Sequence, residues 1–98
     1  MKKNSQILKI DKSVVDYIER LDYEQGARKG LIAFMISSNM DISTEAFHKY
    51  QDELLEYQIK FDTAKHELEE KYILPIIGDN KVNWSLNYRN QELIIDYL

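Results

Sequence analysis

The side chains able to do chemistry in this 98-residue chain are two histidines, 17 carboxylates and a scatter of hydroxyls; there is no cysteine. The missing thiol removes disulfide frameworks, thiolate zinc sites and cysteine nucleophiles together. His48 and His66 stand five helical turns apart on one face, roughly 27 Å of rise, so they cannot share a metal within one chain. Glu45-x-x-His48 has the spacing that di-iron bundles use, but such bundles need two of these motifs and further inward carboxylates. Asp62, His66 and Glu69 or Glu70 also share a face. In a stretch this acidic such spacing arises readily by chance, and the simpler reading is a solvated helix face with weak ion pairs. Ser43 reads as a helix cap, not a nucleophile, and Gly26-x-x-x-Gly30 lies inside a charged helix, not after a strand where a phosphate loop belongs. Nothing supplies the concave apolar setting that shifts carboxylate pKa values for acid–base work. The sequence therefore predicts no enzyme, no catalytic residue, no metal and no cofactor.

The elements around these residues are clearer than the chemistry. From Ser43 to Pro75, Phe47, Tyr50, Leu54, Tyr57, Phe61, Ala64 and Leu68 alternate in steps of three and four, one apolar stripe on a long helix. Thirty helical residues span roughly 45 Å, and Pro75 is expected to end the helix at the residue before it. Ser43 is the expected N-cap, with Ile42 and Phe47 at the spacing of a hydrophobic staple. Upstream, Asp11 or Ser13 can open a first helix over about 12–37, with Val14, Ile18, Leu21, Ile32 and Met35 as its stripe and Gln25 and Arg28 interrupting the middle. Gly26, Gly30, Ala33 and Ser37 form a second, small-residue line. Two readings stay open there: close approach of another backbone or aromatic, or a break between two shorter helices. Asn39 suits the left-handed position that ends the first helix, and so short a connection favours an antiparallel hairpin.

After Gly78-Asp79-Asn80, Val82, Trp84, Leu86 and Tyr88 alternate with polar residues, and Leu93, Ile95 and Tyr97 do the same after a turn at Arg89–Gln91. A lone hairpin is marginal in water; Ser5–Ile10, with Ile7, Leu8 and Ile10 to bury, can supply a third strand. The expected fold is one mostly α domain: an antiparallel helical hairpin (about 12–37 and 44–74), coiled-coil-like, with a small C-terminal β-hairpin (about 81–88 and 92–97) that the N-terminal strand can join. No internal repeat or low-complexity segment is present.

Net charge is −4. Residues 1–36 carry seven basic and five acidic side chains, whereas residues 44–75 carry four basic and eight acidic. A phosphate-binding protein needs a concentrated basic stripe; Lys2, Lys3, Lys9 and Lys12 are too few, so nucleic acid is not an expected partner. Leu31–Ile36 is the longest apolar run, well short of the roughly 20 residues of a membrane span, and the basic N-terminus lacks the apolar core of a signal peptide. The expectation is a cytoplasmic protein, or one assembled from the cytoplasm into a particle.

Seven tyrosines are the compositional excess. Tyrosine suits a partly wet boundary and is enriched at protein interfaces, although it also lines thin two-layer cores. Leu55 and Ile59 lie off the main stripe of the second helix, where two helices and a hairpin cannot easily cover them. Tyr50, Leu55, Tyr57, Ile59 and Trp84 are accordingly the candidate interface residues, and self-association or a protein partner is expected.

The run EAFHKYQDELLEYQIKFDTAKHELEEKY, followed by VNWSLNY and ELIID, resembles small proteins of phages and prophages of low-GC Gram-positive bacteria that combine a helical hairpin with a Trp-centred strand pair. The likeness spans about residues 15–97 and rests on packing pattern, so it carries no catalytic residue. It implies a small capsid or tail accessory subunit. A similar helix pair in accessory proteins of peptide-modification gene clusters implies the other role, a regulatory or inhibitory binder of a host or peptide-modifying enzyme.

Overall fold

A computed structural model describes residues 4–98. Strand β1 (Ser5–Lys9) leads into helix α1 (Lys12–Ser37), a turn, and helix α2 (Glu45–Leu68). A π-helical turn (Glu69–Ile73), a last helical turn α3 (Leu74–Ile77) and strands β2 (Val82–Asn87) and β3 (Glu92–Tyr97) follow. The two long helices form the expected antiparallel hairpin, and the three strands form one antiparallel sheet in the order β1-β3-β2.

Period-two alternation sets the sheet. Leu8 faces Leu93 across β1–β3, and Trp84 and Leu86 face Ile95 and Leu93 across β2–β3, so one apolar face forms. Ile7, expected to be buried, is one residue out of phase with Leu8 and is exposed, whereas Ile10, just past the end of the strand, is buried. The apolar face packs on the root of the hairpin, where Ile10, Val15, Ile18, Leu21, Ala64, Leu68, Ile73, Ile77, Leu93 and Ile95 form the main core. Two polar-tipped aromatics of the sheet tie it to the helices: Tyr88 Oη donates to Asp22 on α1 at 3.0 Å, and Trp84 Nε1 donates to Glu69 at 3.1 Å.

Beyond this root the hairpin is a bare two-helix arm. Its tip holds a small second core of Ile32, Met35 and Phe47, with Leu54 packed against it. Between the cores lies a polar layer at the interruption that Gln25 and Arg28 make in the α1 stripe. The Arg28 guanidinium donates to Glu24, lies over the Tyr57 ring at 4.1 Å and places Nε 3.6 Å from Glu53, within ion-pairing range but too far for a hydrogen bond. The bond to Glu24 raises the Arg28 pKa above its ordinary value, against the cost of desolvation.

Four local expectations are corrected. The second helix does not stop before Pro75: the Leu74 amide donates to the Glu69 carbonyl five residues back, and the chain stays helical to Ile77. This widened turn puts Pro75 in the first turn of α3, where no amide is needed. Thr44, not Ser43, is the N-cap; its hydroxyl accepts from the Phe47 amide at 3.2 Å, while Ser43 bonds Asp41 at 2.9 Å through its amide and 2.6 Å through its hydroxyl. With the cap one residue later the staple geometry is lost, and Ile42 is exposed. At the start of α1, Asp11 does hold the expected cap position, through its backbone carbonyl and without a side-chain bond. Finally, α1 is unbroken, and a Cβ built at Gly26 or Gly30 would meet nothing within 4 Å. Neither a helix break nor close packing inside this chain explains the two glycines.

Asn39 does take the left-handed position, at φ 57°. The Met40 amide bonds Met35 O and the Asn39 amide bonds Ile36 O, the paired C-terminal bonds that turn the chain back toward α2.

Candidate functional site

The apolar stripe of α2 is consumed by the hairpin. Phe47, Ala64 and Leu68 are buried, and Leu54, Tyr57 and Phe61 are half-buried against α1 and the sheet. The opposite side of α2 carries a different line, His48, Asp52, Leu55, Ile59, Asp62 and His66, again in steps of three and four. Leu55 and Ile59 at its centre are each 56% exposed. The stripe is therefore two adjacent aliphatic side chains bracketed by a carboxylate and then an imidazole at each end.

The five interface candidates do not gather on one surface. Leu55 and Ile59 lie together on this outer stripe. Tyr50, which belongs to the inner stripe by its spacing, is exposed. Tyr57 is held between Arg28 at 4.1 Å and Lys60 at 5.0 Å, so its ring is a cover for the polar layer. Trp84 packs against the main core with its indole N–H bound to Glu69. Of the two C-terminal strands, β3 is central and paired on both sides, which leaves β2 as a free edge, with β1 as the other edge.

The sites weighed for chemistry are spread along the arm. His66 Nδ1 lies 3.8 Å from Glu69, a single exposed pair. Among the described residues no three histidine or carboxylate side chains converge as a metal set, and Ser43 has only Asp41 for a partner. The strongly displaced group is Tyr88, pushed up to about 12 by burial first and by its bond to Asp22 second, a structural tie. Of the basic residues, Lys9 is bound to the Asn90 carbonyl and Lys12 to Asp16, each at 2.7 Å; Lys2 and Lys3 lie outside the described residues. No helix among the described residues is long and apolar enough to cross a membrane.

Sequence reasoning missed one surface. The outer side of α1 from Tyr23 to Ser37 carries Tyr23, Gly26, Ala27, Gly30, Ala33, Phe34 and Ser37, every one exposed and none charged. The small-residue spacing is its signal in the sequence, and Tyr23 and Phe34 extend it at the same helical spacing. Tyr23, Gly26 and Ala27, together with the carboxylates Glu19 and Asp22, border a shallow hollow of about 410 Å³ that Tyr88 closes from the sheet side.

Comparison of the chain with protein-family models, curated proteins and solved structures found no match.

Proposed function

We propose that this chain is a non-enzymatic assembly protein that docks on a partner protein through the outer stripe of α2. The observation that carries the reading is the pair Leu55 and Ile59, each 56% exposed in the middle of a helix whose other face is already packed. An amphipathic helix laid into a groove is a common recognition mode. Asp52 and Asp62 bracket the aliphatic pair, so the fitting partner presents an apolar groove with basic residues at its ends. Burial of the two side chains supplies the affinity, and the flanking charges set orientation. The resemblance to phage and prophage proteins supports a virion role, as a capsid or tail accessory subunit present in many copies.

The test is comparative capture from cells that produce the protein, using the native chain and a Leu55→Glu/Ile59→Glu variant. Both positions are exposed, so the variant should keep its helical circular dichroism. A defined partner retained by the native chain and lost by the variant supports the stripe; an identical retained set for both removes it. A captured virion protein supports the particle role, and a captured enzyme supports the regulatory role instead.

A further inference from the structure

The outer face of α1 is the second uncovered surface, and it differs in kind from the α2 stripe. Tyr23 and Phe34 are 73% and 63% exposed, and between them lie only Gly26, Ala27, Gly30 and Ala33 on that side of the helix. Exposed aromatics normally stand among charges on a solvated helix. Here the charged neighbours Arg28 and Lys29 are turned to the core side and the flank, so the face is neutral along four turns.

The surface of the whole molecule states how much is left uncovered. Its radius of gyration is 17.3 Å, where a compact chain of this length has about 13 Å. Its accessible area is 7278 Å², where a monomer of 11.7 kDa typically exposes about 5,900 Å². The excess is more than about 1,000 Å², and a standard interface takes roughly 800 Å² from each partner.

We propose that the uncovered face of α1 is a self-association surface that pairs two copies of this chain antiparallel about a two-fold axis. A two-fold contact brings the same patch onto itself, so any charge at its centre opposes its own copy. From Tyr23 to Ser37 the α1 face has none; Glu19 and Asp22 stand beyond its end, at the hollow, well away from the two-fold axis. In the register that sets Tyr23 against Phe34 of the second copy, Ala27 opposes Gly30, and the small side chains let the backbones approach closely. Phe34 of each copy then meets the hollow lined by Glu19, Asp22, Tyr23, Gly26, Ala27 and Tyr88 on the other, where Tyr23 and Tyr88 offer their rings to an aromatic anchor and Asp22 is already bonded to Tyr88. The α2 stripe fits a copy of itself poorly, because the register that joins Leu55 to Ile59 also sets Asp52 against Asp62. The surface is distinct from the proposed docking stripe, so either assignment can fail alone.

Sedimentation equilibrium of the full chain over a wide concentration range tests the pairing. The native chain should show a monomer–dimer equilibrium, Phe34→Ala should weaken it at least about 30-fold, and Ala27→Glu should abolish it. Helical circular dichroism should be kept in both, since both positions are exposed. Because the chain has no cysteine, a single Ala27→Cys gives a second reading: mild oxidation should yield a covalent dimer, and Phe34→Ala in the same chain should suppress it. A monomer at all concentrations overturns the proposal. So does a dimer that survives Phe34→Ala and Ala27→Glu, and if that dimer is instead lost in Leu55→Glu/Ile59→Glu, self-association belongs to α2.

Discussion

Replacing Gly26 and Gly30 with alanine probes the open helix face most directly. Inside a helix, Gly is less favourable than Ala by about 0.8–1 kcal/mol, a penalty that normally persists because a methyl group would collide with something. In this chain a Cβ at either position meets nothing within 4 Å, and neither residue has a left-handed φ that an L side chain would resist. Each substitution should therefore recover most of the propensity difference, and the pair about 1.5–2 kcal/mol. At roughly 4–8 °C per kcal/mol for a domain of this size, the double variant should melt about 6–16 °C higher. Urea denaturation at a concentration where the chain is monomeric, with Gly26→Ala and Gly30→Ala separate and combined, measures the gain. A loss of stability in either single variant would refute the reasoning, since it would mean that the face is covered or the helix interrupted. At concentrations where copies pair, the gain should shrink, because the new methyl groups would hold the two backbones apart.

The remaining predictions concern the core, the polar layer and the sheet tie. Leu93, fully buried beneath the root of the hairpin, should cost about 3–5 kcal/mol when changed to alanine, read as a large drop in the urea midpoint. Phe47→Ala should mainly loosen the tip, seen as faster hydrogen exchange near residues 32–52 with the root still protected. Arg28→Ala removes a charge-assisted bond, an ion pair and ring stacking from a side chain that is 24% exposed; partial solvent screening limits the loss to about 1–3 kcal/mol, and Arg28→Met, which keeps the stem, should lose less. Tyr88 ionises at about 12 in the fold against an ordinary 10.0. Because the folded value is raised, the stability it contributes is fully present below about pH 10 and is lost as pH rises through about 12. Tyr88→Phe should remove that alkaline loss, together with the part of the native chain's phenolate absorbance that rises near pH 12.

The sequence by itself determined the helical hairpin and the two C-terminal strands. Periodicity marked α1, the core face of α2, β2 and β3, because burial on one face writes a period of 3.6 or 2 into the residues; β1 was legible only as a short β-compatible run, and its place beside β3 was decided by the tertiary structure. Gln25 and Arg28 already announced a gap in the α1 stripe, and the polar layer lies there. What local rules could not decide were choices between near-equal alternatives. Ser43 and Thr44 are both good caps, and the hydrogen bonds Ser43 makes to Asp41 settled which one caps α2. Pro75 forbids an ordinary helical bond but not a widened turn, and packing of Ile73 and Ile77 into the core holds the chain helical past it. Tyr57 and Trp84 look like interface residues from type alone; only the tertiary structure shows that Arg28 and Glu69 engage them and that both are half-buried. The two glycines show the division most plainly. Their spacing put four small residues on one face of α1, but whether a backbone lies over that face depends on where α2 and the sheet pack, and both pack elsewhere.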